Sequence, residues 1–313
     1  MLGKTAGGLF WMSRQLERSE NTARMIETGQ RIALTRGSDS DGEWASILRT
    51  AAVSAGHAQK YETATRENAI DWMLRDKDNP SSVLCSVETA RNNARMVRTA
   101  LTHESWEAVN AAYLKIKDLL SRRVSERDLP QVLSAIRQRS AFVRGAMHGT
   151  LLRNDIYDFI RIGTFMERAD NTARILDVKY YVLLPMASSV GSRLDNVQWE
   201  TILRSVSAEG GYRMTHGHKI RPREIAQFLL LDKRMPRSLN FCCSKIGANL
   251  SYLASDYGQQ LDSHARIDTL CRRFMSHDID AIFDYGLHEY IQDFLAALAD
   301  LSRQIEIDYR FYE

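Results

Sequence analysis

Apolar positions recur along this chain at the three- and four-residue spacings of helices. Leu9, Met12, Leu16, Ala23 and Ile26 share one side of a predicted helix, while Arg14, Glu17, Asn21 and Arg24 occupy a separate arc. The polar run from Arg36 to Gly42 reads as a loop, after which Trp44 opens a second helix with Ile47, Leu48 and Ala51 toward the core. A third helix is predicted from about Thr65 to Leu74, and Asp76 to Pro80 form a break. Ser81 or Ser82 is placed to cap the next helix, which runs to about Leu101. Further helices are predicted over 106–124 and 129–152, and one over 155–184 repeats the opening pattern. Five prolines and 17 glycines in 313 residues leave few interruptions, so the expected class is all-α.

The repetition is specific. Glu17-Arg18-Ser19-Glu20-Asn21-Thr22-Ala23-Arg24 returns as Glu167-Arg168-Ala169-Asp170-Asn171-Thr172-Ala173-Arg174, identical at six of eight positions. Two further landmarks follow in the same order at nearly the same spacing. Trp44-Ala45-Ser46-Ile47-Leu48-Arg49 matches Trp199-Glu200-Thr201-Ile202-Leu203-Arg204, and the segment Asp76 to Ser82 matches Asp232 to Ser238 around Pro80 and Pro236. These correspondences predict two copies of a helical unit, 1–150 and 151–313. Two copies are too few for a solenoid. A multi-helix bundle is expected instead, its halves related by a pseudo-twofold and sharing one core as one compact domain.

Composition narrows function more than fold. With 42 basic and 39 acidic residues the chain carries a formal charge of +3, too balanced to argue for nucleic acid. No apolar run approaches the roughly 18 residues of a membrane span, and the N-terminus lacks the apolar core of a secretory signal. Cys85, Cys242, Cys243 and Cys271 have no metal or disulfide spacing and read as reduced core residues, so a cytoplasmic location is expected. Gly3-Lys4-Thr5 lacks the strand and upstream glycine of a phosphate loop. His277, Asp280, Asp284 and His288 fall on one predicted helical face without a di-iron spacing, and neither a metal nor a cofactor is expected.

The candidate chemistry lies in the repeated frame. A looser third copy, Glu88-Thr89-Ala90-Arg91-Asn92-Asn93-Ala94-Arg95, keeps Glu, then Asn four on, then Arg three further. Those offsets put the three side chains on one helical face. The candidate residues are Arg14, Glu17, Arg18, Asn21, Arg24, Glu88, Arg91, Asn92, Arg95, Glu167, Arg168, Asn171, Arg174 and Arg237, the last following Pro236 at a helix start. On a solvated face Glu20 with Arg24, and Asp170 with Arg174, would be ordinary i,i+4 pairs of about 0.3–0.5 kcal/mol. Recurring mid-helix asparagine, a poor helix former, points instead to an internal polar network drawn from three helices. Such a network either clamps helices or lines an Arg-rich cleft for an anionic ligand.

Leu2-Gly3-Lys4-Thr5-Ala6 leading into Trp11, Arg14, Glu17-Arg18 and Asn21, the Ala90 to Arg95 stretch with Arg98 and Trp106, the second Glu167-Arg168-Ala169 and Pro236-Arg237-Ser238 together resemble the Alpha-E family, also catalogued as domain of unknown function 403. Asn92 departs from the family wording Ala-Arg-Glu-Asn-Ala-Arg, so an acid is missing at that position. The resemblance implies a helical protein linked to ATP-grasp-type ligases and transglutaminase-like proteins, in the synthesis or modification of a peptide-like amide. The leading expectation is a non-catalytic partner of the ligase, with an anionic peptide-like ligand held in the cleft. The rivals are an amide-forming or amide-cleaving enzyme using a buried Glu17 or Glu167 as base, and a purely structural network.

Overall fold

Several helices start on side-chain capping chemistry. Thr65, Ser82, Thr102, Ser238 and Asp278 each accept, through a side-chain oxygen, the backbone N–H three residues on, which satisfies one of the unpaired donors of a helix start. The structure, a computed structural model, describes residues 1–36, 40–183 and 193–313. Among the described residues the regular elements are all helical. The chain opens with α1 (Gly3–Arg36), α2 (Ser40–Thr50), α3 (Ser54–Ala58) and α4 (Arg66–Leu74). Then come α5 (Val83–Met96), α6 (His103–Leu119), α7 (Leu129–Thr150) and α8 (Asp155–Leu183). After these follow α9 (Arg193–Ser205), α10 (Glu209–His216), α11 (Pro222–Leu231), α12 (Leu239–Tyr257), α13 (Asp262–Met275), α14 (Ile279–Tyr285) and α15 (Leu287–Asp308). The all-α class is confirmed, and no helix of the described residues is long and apolar enough to cross a membrane.

Boundaries moved where local chemistry outweighed the apolar period. The Thr102 cap starts α6 at His103, ahead of Trp106, and α6 stops at Leu119. The helix capped by Ser82 ends at Met96, short of Leu101, in a 3-10 turn over Arg98–Ala100. Of the polar run expected as a loop, residues 37–39 lie outside the described residues, and α2 begins at Ser40, before Trp44. Leu184, the expected end of the second Glu-Arg helix, also lies outside them. Gly286, at φ +109°, breaks the face expected to carry His277, Asp280, Asp284 and His288: Asp280 sits in α14 and pairs with Arg223, whereas His288 sits in α15 and bonds Asp177.

Packing places α1 and α8 at the centre. α1, α5, α6 and α7 form one ring of neighbouring helices, α8, α12, α13 and α15 form another, and α1 lies directly against α8. α2 and α9 each touch both central helices. Apolar side chains from Ala6 to Phe311 belong to one continuous core, with Trp44 and Trp199 both buried. α1 is therefore covered on nearly every side, including the arc that carries Glu17 and Asn21.

Two glycines set how closely the backbones approach. A Cβ on Gly3 would lie 1.9 Å from the Arg310 carbonyl oxygen, so α1 begins six residues before Leu9 against the end of the chain. A Cβ on Gly163 would lie 2.4 Å from both the Phe10 carbonyl oxygen and Ser13 Oγ, at the α1–α8 contact. Backbone cannot yield as a flexible side chain can. Gly163→Ala is expected to lower unfolding free energy by about 1–3 kcal/mol despite its better helix propensity. Gly145→Ala, where nothing lies within 4 Å, is expected to raise it by about 0.5–1 kcal/mol. Urea unfolding of the two variants checks the contrast.

Candidate functional site

The close α1–α8 approach brings the two Glu-Arg steps face to face. Arg18 donates from Nε and Nη2 to Glu167 Oε1 and Oε2 at 2.5 and 3.0 Å. Arg168 donates from Nε and Nη2 to Glu17 Oε1 and Oε2 at 2.9 and 3.0 Å. Each helix thus supplies the arginine that grips the other's glutamate in a bidentate pair. Both carboxylates are buried, with 1% and 6% of their side-chain surface exposed.

Further arginines close around this exchange. Arg14 donates from Nε to Glu167 Oε2 at 2.9 Å and from Nη1 to Ser302 of α15 at 2.9 Å, with its guanidinium over the Trp11 ring. Arg237, buried just before α12, lies 3.1 Å from Glu17 Oε1, donates to Asn21 Oδ1 at 3.1 Å and to Glu20 Oε1 at 2.9 Å. Arg24 also donates to Glu20, and Arg144 of α7 reaches both Glu20 and Glu17. Arg174 pairs with Asp170 at 2.7 Å. Six guanidiniums, of Arg14, Arg18, Arg24, Arg144, Arg168 and Arg237, therefore meet three carboxylates, of Glu17, Glu20 and Glu167.

That excess of positive charge governs the acid–base state. Burial opposes ionisation of Glu17, but the Arg168, Arg237 and Arg144 guanidiniums outweigh it and hold its carboxyl far below the ordinary glutamate range. Glu167 is lowered in the same way, burial being overcome by Arg18 and Arg14. Arg237 is pushed down to about 10 by burial, with Glu17 pulling the other way. A general base working near neutral pH needs a raised carboxyl pKa, the opposite of what these glutamates have.

Two cavities flank the exchange. One, of about 300 Å³, is lined by Arg14, Arg18, Asn21, Asn79, Ser81, Glu167, Asp170, Asn171 and Arg174 among others. Asn171 is 3% exposed, and neither its amide oxygen nor its amide nitrogen has a partner among the described residues. The other, of about 330 Å³, lies on the α7 flank and is lined by Glu17, Arg144, Arg161, Arg168 and the apolar Leu16, Val143, Met147 and Ile160. Arg161 lies over the Phe165 ring at 4.3 Å and makes no ion pair among the described residues. Burial lowers its pKa, and the neighbouring Arg168 and Arg153 add to that.

Ten of the fourteen predicted residues meet around this contact or its cavities, and the third copy of the frame does not. Glu88, Asn92 and Arg95 are exposed on α5, Glu88 meeting only the Tyr113 hydroxyl at 3.3 Å. Arg91 bonds Asn110 and lies over Tyr113 of α6. The α5 face that meets α1 is the small one of Val83, Val87, Ala90 and Ala94, which turns the Glu-Asn face to solvent. The network is completed instead by Arg144 of α7 and Arg237 before α12. Glu20, which reads as half of a surface pair, is fully buried. Arg144 and Arg161 stand outside the repeated segments, and Ser81, inside one of them, differs there from its counterpart Arg237.

Breaking a buried, multiply paired charge costs about 3–5 kcal/mol, because its partners stay buried and unpaired. Glu17→Gln is expected to cost that much at pH 7, and Glu88→Gln less than about 0.5 kcal/mol. A lowered carboxyl pKa contributes stability that is complete above the unfolded-state value of about 4.3 and is lost as pH falls below it toward the folded value. The wild-type advantage over Glu17→Gln should therefore be full at neutral pH and shrink below pH of about 4. Denaturant titrations across pH measure it.

Against protein-family models, the chain matches Alpha-E, described as a predicted alpha-helical domain with a conserved ER motif, over residues 1–309. Three Glu-Arg dipeptides occur here, and Glu126-Arg127 lies exposed between α6 and α7; those at 17–18 and 167–168 are the pair locked in the core. Curated relatives include an uncharacterized protein of Mycobacterium bovis and one of Mycobacterium tuberculosis strain CDC 1551, each 23% identical over 315 residues, covering 95% of this chain and 35% of the relative. A protein of Mycobacterium tuberculosis strain H37Rv is 22% identical over the same span. The chain thus spans about a third of the length of the curated relatives it matches. No solved structure matches it significantly. Since the family match takes in both Glu-Arg helices and every segment that closes around them, the chain belongs to the Alpha-E family.

Proposed function

We propose that the chain is a non-catalytic helical partner of an ATP-grasp-type ligase, and that it holds an anionic, peptide-like ligand in the cavity between α1, α7 and α8. Arg161 carries the ligand half of this reading. It is a half-buried guanidinium with no carboxylate of its own, beside Arg168 and Arg144 and opposite a wall of Leu16, Val143, Met147 and Ile160. A carboxylate at the end of an apolar body matches that lining, since guanidinium recognises carboxylate through two parallel hydrogen bonds.

The partner half rests on the family resemblance, with transglutaminase-like proteins as second associates in the same amide chemistry. Two observations support it. The matched region of the mycobacterial relatives lies within a much longer chain. Leu114 and Phe142 are more than half exposed beside Trp106, in a groove of about 790 Å³ along α6 and α7. The low carboxyl pKa values of Glu17 and Glu167 count against the enzyme reading. The clamp reading and the ligand reading coexist, because the clamp also shapes the cavity wall.

Calorimetry with N-acetyl-leucine and its neutral amide tests the ligand. The acid should bind at least about tenfold more tightly, the scale of one charge-assisted hydrogen-bond pair. Arg161→Gln should remove that preference with an unchanged melting temperature. Equal binding of acid and amide, or an unaffected Arg161→Gln protein, would refute the assignment. Co-elution with the ligase at micromolar concentration tests the partner, and separate elution with a fully active lone ligase rejects it.

A further inference from the structure

The sequence correspondence of the two halves pairs Ser81 with Arg237. Each stands between a proline and an N-cap serine. Ser82, after Pro80, accepts from Cys85 N–H at 3.3 Å, and Ser238, after Pro236, accepts from Phe241 N–H at 3.0 Å. From this turn Arg237 reaches Glu17, Glu20 and Asn21 of α1. The corresponding residues of α8 are Glu167, Asp170 and Asn171. All three line the cavity of about 300 Å³, and so does Ser81. Where one turn sends a guanidinium into three acceptors, the other offers a short hydroxyl and leaves the three counterparts beside a cavity, Glu167 and Asp170 held by Arg14, Arg18 and Arg174 and Asn171 by nothing among the described residues.

Asn171 shows the difference directly. Asn21 Oδ1 accepts from Arg237, whereas the equally buried Asn171 has no partner for Oδ1 among the described residues. Leaving a buried amide unpaired is costly, and ligand cavities are where such groups find their use. The ion pairs of the two sides follow the same correspondence. Four guanidiniums (Arg24, Arg144, Arg168 and Arg237) face Glu17 and Glu20, but only three (Arg14, Arg18 and Arg174) face Glu167 and Asp170. One more guanidinium gives the α8 side the same number that the α1 side already holds in the fold.

We propose that this cavity binds a small ligand through a guanidinium end, which donates to Asn171, Asp170 and Glu167 as Arg237 donates to Asn21, Glu20 and Glu17. A planar, forked donor suits three acceptors spread along one helical turn better than a compact ammonium does. The site is separate from the α7-flank cavity. It stands on the correspondence of Ser81 with Arg237 and not on the carboxylate reading of Arg161.

Calorimetry of the wild-type chain with L-arginine, L-lysine and L-citrulline tests it, because the three share an amino-acid end and differ in the head group. Arginine should bind at least about tenfold more tightly than uncharged citrulline, with lysine between. Ser81→Arg, which supplies the guanidinium from within, should abolish arginine binding without lowering the melting temperature, and Asn171→Leu should weaken it. Arginine bound no better than citrulline, not bound at all, or still bound by a folded Ser81→Arg protein overturns the proposal. Should Ser81→Arg fail to fold, Arg237→Ser decides. Its lost thermal stability should be restored by low-millimolar methylguanidinium and not by sodium chloride of equal ionic strength, and absence of that rescue also overturns the assignment.

Discussion

A carboxylate and a guanidinium removed from water together are tolerable only while they hold each other, and the exchange between α1 and α8 imposes that condition twice. Glu17 is gripped by Arg168 and Glu167 by Arg18, each in a two-pronged geometry that a shift of one residue along either helix would destroy. Desolvation makes such pairs poor sources of net stability, yet it makes every other helix register worse. Register is what the exchange provides. Gly163 lets the backbones come close enough for it, and Arg237 and Arg144 come in from two other elements to cover the remaining carboxylate oxygens.

Helix content, the cap after Pro80 and the Glu-Arg frame were legible because they are local. Ser82, one of the two serines after Pro80 that the sequence offers as a cap, is the residue that caps α5. What one sequence could not supply was the identity of the neighbour on each helix face. Glu20 and Arg24 have the spacing of an ordinary exposed pair, and only Arg144, 124 residues away, and Arg237, 217 residues away, make Glu20 a buried acceptor. The third copy failed for the mirror-image reason. Its Glu and Asn keep the helical spacing, but Val87, Ala90 and Ala94 bury the other face of α5, so the frame points outward. Periodicity gives a residue its angular place on a helix, and tertiary packing decides whether that angle is wet or dry.

The same central pair separates two unlike chemical environments. On the α7 flank an arginine without a carboxylate stands near aliphatic side chains. On the other flank an asparagine without a partner among the described residues stands beside Ser81, where the corresponding turn carries Arg237. The two flanks differ through substitutions at corresponding positions, Ser81 against Arg237 and Trp11 against Arg161, while the exchange between them is identical in both halves. A fixed polar centre with divergent walls gives one scaffold two chemically different cavities.

The central exchange also has a cost in time. Glu17 and its grip Arg168 are separated by 151 positions, and Gly3 packs against Arg310 at the far end of the chain. At a synthesis rate of about 5–20 residues per second, α1 leaves the ribosome roughly 8–30 s before the helix that grips its buried glutamate. For that interval the innermost element of the finished protein lacks Arg168, Arg237 and the apolar cover of α8. Its nearest early refuge is α5 and α7, which emerge before α8 and line the same helix. The first ring of helices therefore shelters α1 during synthesis as well as packing against it afterwards.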